Sequence, residues 1–91
     1  MYPFMKLPDE TEIVHSHLKD NDGTKTVDVH FERPKLNGFD SARCRLPSYE
    51  WIMRDGFVDD EILEFEMLLR ECAHLFYKYA EIGGLKVAKS V

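Results

Sequence analysis

Ninety-one residues, 44% hydrophobic and 32% charged, suit one folded domain: the chain is too short for two cores and too apolar for a disordered segment. The net charge of −5 sets a field that repels phosphate backbones, so nucleic acid is not an expected partner. No apolar run reaches the ~18 residues of a membrane span, Met1–Leu7 lacks the basic and long apolar regions of an export signal, and Cys44 and Cys72 are too few for a disulfide scaffold, so a cytoplasmic address away from membranes is expected.

In chain order, Met1–Leu7 sets Tyr2, Phe4, Met5 and Leu7 around Pro3 and runs into Pro8-Asp9-Glu10, the chemistry of a short edge strand entering a turn. Glu12–Leu18 and Lys25–Arg33 alternate polar residues with β-branched and aromatic ones, and Lys19–Thr24 between them is turn chemistry, which predicts a hairpin. With Asp22-Gly23 as a type I′ turn, Leu18 pairs with Val27, Ser16 with Val29 and Val14 with Phe31, while His17 falls opposite Asp28, His15 opposite His30 and Ile13 opposite Glu32. One face is then apolar and the other carries the histidines. Pro34–Gly38 connects to a third strand at Ser41–Leu46, where Ala42, Cys44 and Leu46 share the apolar face and Arg43 and Arg45 the polar one. Ser48–Asp55 reads as a connector with a turn of helix, closed by Asp55-Gly56.

Asp59–Ile82 is the strongest element. Ile62, Phe65, Leu68, Leu69, Cys72, Ala73, Leu75, Phe76, Tyr79 and Ala80 recur at helical spacing on one side, and Glu64, Arg70, Glu71, His74, Lys78 and Glu81 gather on the other. Val58 as N-cap places Phe57 and Ile62 for a hydrophobic staple and sets Asp59, Asp60 and Glu61 beside the free N–H groups of the first turn; Val58 has no capping oxygen, which makes Asp59 a rival cap. Gly83 can take the left-handed conformation that ends the helix. The tail Leu85–Val91 has no period and is expected to fray.

These elements predict a single α+β domain over residues 1–91, in β-β-β-α order. A three- or four-stranded antiparallel meander at about 2–46 is followed by a connector at 47–57 and one long helix at about 59–82. The helix is expected on the sheet face made by Val14, Leu18, Val27, Val29, Phe31, Ala42, Cys44 and Leu46, leaving the other face wet.

Three groups of residues could carry function. On the outward face of the hairpin, His15, His17 and His30 fall within cross-strand reach of one another with Asp28 beside them, a donor set for a zinc-like divalent metal or for acid–base chemistry; a solvated polar face is the simpler account of the same residues. Arg43 and Arg45 could clamp a carboxylate or phosphate, or pair across strands with Asp28 and Glu32. Leu63, Met67 and Tyr77 lie on or beside the polar side of the helix, where a monomer gains nothing from them, and mark an interface. Tyr49 and Trp51, with Phe39 and Phe57, flank the route from sheet to helix; they are either anchors of that interface or lids over the open ends of the core, the lid being the simpler account. A Gly-rich phosphate loop, G-x-S-x-G, H-E-x-x-H and C-x-x-C are all missing, so no catalytic residue and no cofactor is assigned. The expected function is that of a small non-enzymatic interaction module, binding itself as a homodimer or another protein. The alternative is a metal-dependent or acid–base enzyme built on the three histidines.

Overall fold

A computed structural model describes residues 1–83. Asp22 and Gly23 sit at φ +53° and +87°, as a type I′ turn requires, and join strand β3 (Lys19–Asn21) to strand β4 (Thr24–Lys35). The Asp20 carboxylate braces the turn, accepting from the Gly23 N–H at 2.9 Å and pairing with Lys25. Lys19 lies opposite Thr26 and Asn21 opposite Thr24, the register expected beside this turn. A Cβ at Gly23 meets no atom within 4 Å, so a substitution there acts through backbone conformation alone. Gly23→Val is expected to cost ~1–2 kcal/mol, because it forces a β-branched residue to positive φ. A thermal melt measures this, and an unchanged midpoint contradicts the turn assignment.

The expected pairing does not continue past β3. Strand β2 (Glu12–His15) pairs with the far half of β4 as Ile13 with Phe31, Val14 with His30 and His15 with Val29, one residue out of step with β3. Ser16–Leu18 absorbs the offset. There the Ser16 N–H donates to the Asp28 carbonyl at 2.9 Å and the Asp28 N–H donates to Ser16 Oγ at 3.0 Å, a side chain standing in for a backbone acceptor. An extra residue of this kind turns every following side chain to the other face. The expected pairs Val14–Phe31 and His15–His30 are therefore corrected: Ile13 and His15 enter the core, and Val14 and Leu18 are only half-buried.

Strand β5 (Gly38–Leu46) runs back along β4 with the expected parity, setting Leu46, Cys44 and Ala42 opposite Val27, Val29 and Phe31. The segment after Pro47 is a strand and not a turn of helix. Strand β6 (Glu50–Asp55) pairs with β5, with Arg43 opposite Met53 and Cys44 opposite Trp51, so that Ile52 is the extra residue of a bulge. Its Trp and Ile favour a pleated, half-buried surface, and the open side of β5 supplies one. Strand β1 (Tyr2–Lys6) closes the other side against β2. The sheet order is β1-β2-β4-β5-β6, with β3 on the start of β4. Among the described residues the strands thus number six, not three or four, and one of them occupies the expected connector.

Helix α1 spans Asp59–Ile82, as the periodicity predicts, between Val58 and a left-handed Gly83. The Val58 side chain makes no capping bond; instead the Val58 N–H donates to Glu61 Oε1 at 3.1 Å, and the Gly83 N–H closes the last turn on the Tyr79 carbonyl. Ile62, Phe65, Leu69, Phe76 and Ala80 are buried against Ile13, Val27, Val29, Phe31, Ala42, Cys44 and Leu46. Phe65 stacks on Phe31 at 4.2 Å, Phe57 meets Phe65 edge-on at 5.0 Å, and Phe4 reaches over from β1 to Phe76 at 4.2 Å. At roughly 1.5–3 kcal/mol for each large side chain removed from water, this seam dominates the favourable side of folding. Cys44 and Cys72 are free thiols; burial pushes Cys44 up to about 12 and raises Cys72 as well, which makes both poor nucleophiles. Among the described residues, no helix is long and apolar enough to cross a membrane.

Candidate functional site

The flank where α1 meets β6 gathers the residues expected at an interface. Glu66, Arg70 and Tyr77 recur on the side of α1 that turns toward this flank. Trp51 Nε1 donates to Glu66 Oε1 at 2.7 Å, the Arg70 guanidinium lies 4.3 Å over the Tyr49 ring, and the Tyr77 hydroxyl donates to the Lys25 carbonyl at 2.9 Å. Burial, and then the nearby Tyr49 phenol, raise the Tyr77 hydroxyl above the usual range. Leu63 and Met67 stand one turn apart next to this row and are 58% and 64% exposed. The five residues therefore play two roles. Tyr49, Trp51 and Tyr77 are half-buried and fastened to the core, which corrects the expectation that Tyr77 has no use within the monomer; Leu63 and Met67 have no such use. Glu66 and Arg70, which hold the aromatics, escaped the sequence reading. Their only signal was an i, i+4 spacing at the margin of the apolar arc.

The wet face of the sheet does not carry the expected donor set. Pro3, Val14, His30, Arg43 and Met53 form one row of cross-strand neighbours, so His30 lies there, whereas His15 is inside and His17 is exposed where the offset is absorbed. The three histidines do not share a face. Among the described residues, no group of three or more His, Cys, Asp or Glu is gathered for a metal ion. Asp28 is buried and already engaged, with Lys19 Nζ at 3.0 Å and Arg45 Nε at 2.9 Å. Burial pushes its carboxyl up, and the hydrogen bonds from Arg45 and Lys19 outweigh that and hold it below the usual range. Arg45 is thus the cross-strand partner of Asp28 and no free anion clamp. Arg43 sits between His30 and Met53 with its Nε buried and unpartnered.

His15 is fully buried, its ring 5.6 Å from Tyr2, 6.5 Å from Phe4 and 5.9 Å from Phe76. Nδ1 lies 2.9 Å from the Ser16 carbonyl, which only accepts, so Nδ1 carries the proton and Nε2 is left as a buried acceptor without a partner.

A second polar cluster, invisible to local pattern, centres on Arg33. Its guanidinium meets Asp40 of β5 at 2.8 Å, Glu61 of α1, and Asp9 of the β1–β2 loop at 3.2 Å, while lying 4.8 Å over the Phe57 ring. Lys35 adds a contact to Asp40 at 3.0 Å. Arg33, by its hydrogen bonds, is the leading reason that the Asp40 and Glu61 carboxyls lie below their usual range; for Asp9 the Thr11 hydrogen bond comes first and Arg33 adds to it. Every charge here is answered from within the chain. The cluster fixes loop, sheet and helix start together and offers a ligand nothing.

An antiparallel sheet of this order with one carboxyl-terminal helix is an α+β protein. A scan against protein-family models, a search of curated proteins and a search of solved structures each found no match.

Proposed function

We propose that this chain is a non-enzymatic interaction module that docks a protein on the flank where α1 meets β6, with a second copy of itself as the first partner and a different protein as the other. The observation that supports this reading is the pairing of roles on that flank: exposed Leu63 and Met67 stand beside aromatics held in place by Glu66, Arg70 and the Lys25 carbonyl. Anchors already fixed in the free protein lose little conformational freedom on docking, and an apolar patch beside them gains by leaving water. The flank also extends beyond the helix. Among the described residues β6 is the last strand in the sheet order, with Ile52 and Met53 exposed along it, and its outer side there offers unpaired backbone groups to a partner.

Met67→Glu combined with Leu63→Lys is expected to leave the circular dichroism spectrum helical while moving the light-scattering mass from dimer to monomer. An unmutated protein that stays monomeric at high concentration removes the homodimer, and the same double substitution must then abolish binding of a different partner.

A further inference from the structure

Among the described residues, strand β1 has a neighbour on one side only, and its pairing with β2 is irregular between Pro3 and Met5. What else holds it is aromatic: Phe4 on Phe76 and on Tyr79 at 6.4 Å, and Tyr2 and Phe4 against the His15 ring. The imidazole is therefore the hub between β1 and α1. We propose that His15 is an acid-sensitive latch: a proton on its Nε2 frees β1 from β2 and α1 and uncovers the apolar surface of Tyr2, Phe4 and Phe76.

The neutral ring fits its site because Nδ1 has an acceptor and the lone pair on Nε2 sits among carbon atoms at moderate cost. Protonation adds a charge and an N–H at an atom that is out of reach of bulk solvent and has no acceptor among the described residues. The groups facing the ring cannot answer that charge. β1 contributes the Tyr2 phenol, and Met1 ahead of it the α-amino group, whose own positive charge opposes protonation. β4 contributes Val29, and α1 contributes Phe76, with Tyr79 and Lys78 behind Phe4. Asp28, Glu32 and Glu12 belong to the other face of the sheet by strand parity. Ring faces attract a cation, yet burial prevails and holds this imidazole below its ordinary value of 6.5. The cheapest way to hydrate the new N–H is to open the nearest peripheral element, and that element is β1. The latch involves none of the α1–β6 flank residues of the proposed interface and stands independently of it.

Because the folded-state value is depressed, the stabilisation is complete above pH 6.5 and is lost as the pH falls below it. Amide hydrogen exchange followed by NMR from about pH 7.5 to about pH 5, corrected for intrinsic rates, reads this strand by strand. The expected result is that β1 protection falls by up to ~tenfold per pH unit, the limit for one proton, while β4 and β5 keep theirs. His15→Phe, which fills the box with carbon, should abolish the effect, and a variant with His17→Gln, His30→Gln and His74→Gln should retain it. If His15→Phe does not fold, the wild-type profile and the triple variant decide. Uniform loss in all strands, no loss in β1, persistence in His15→Phe or disappearance in the triple variant each overturns the latch.

Discussion

Gly56→Ala is expected to lower the thermal midpoint by ~12–24 °C, from a loss of about 3 kcal/mol at roughly 4–8 °C per kcal/mol for a chain of this size. Gly56 sits at φ +100° ahead of Phe57, and an added Cβ overlaps Asp40 Oδ1 and lies 2.8 Å from its Cγ. A side-chain oxygen could ordinarily move aside. Here Arg33 and Lys35 both grip that carboxylate, so making room breaks the clamp. The backbone share is about 1–2 kcal/mol, and the disturbed charge-assisted hydrogen bonds supply about as much again. Gly23→Ala is the control, since its φ is also positive and its surroundings are empty. The two variants should differ clearly in a calorimetric scan, and equal midpoints refute the close contact with Asp40.

Arg33→Met is expected to cost about 2–3 kcal/mol, less than the ~3–5 of a fully buried pair because the guanidinium remains partly in water. Its signature is the dependence on pH. Asp9, Asp40 and Glu61 all lie below their ordinary values of 3.8, 3.8 and 4.5, so the stability they contribute is complete above those values and disappears as the pH falls through the folded-state ones. Urea titrations should therefore show the wild type losing its advantage over the variant as solutions are made more acid than about pH 4.5. An advantage that does not change with pH contradicts the role given to the carboxylates. Arg33→Lys should recover only part of the loss, since an ammonium cannot reach three carboxylates and stack on Phe57 at once.

These two positions show where a reader of the sequence is blind. Helix α1 was legible to its ends because its signals are local: a periodic apolar arc, acids in the first turn, and Gly83 after the last. The Asp22-Gly23 turn and the parity of β4 against β5 were legible for the same reason. The offset at Ser16–Leu18 was not, because it depends on Ser16 Oγ finding the Asp28 N–H twelve residues on. Nor was β6, where Trp51-Ile52-Met53 is too short an apolar run for periodicity to separate strand from helix. At the candidate interface, exposed Leu63 and Met67 were readable from helical angle alone. The fastening of Tyr49, Trp51 and Tyr77 required tertiary partners, as did the whole Arg33 cluster. The fray expected at Leu85–Val91 lies outside the described residues.

The offset ahead of the hairpin makes inside and outside in β2 a matter of counting. The Asp22-Gly23 turn ties β3 to β4, and each residue added between that turn and β2, beyond the one that the bulge absorbs, slides β2 by one place, every odd step exchanging its two faces. A chain one residue longer in Ser16–Leu18, with the one-residue bulge kept, seats Val14 opposite Phe31 in the core and turns His15 out beside His30. An imidazole sealed among aromatic rings and a pair of imidazoles open to solvent are therefore one codon apart in this gene, with composition almost unchanged. In this fold, an insertion ahead of the turn is a change of surface chemistry before it is a change of loop.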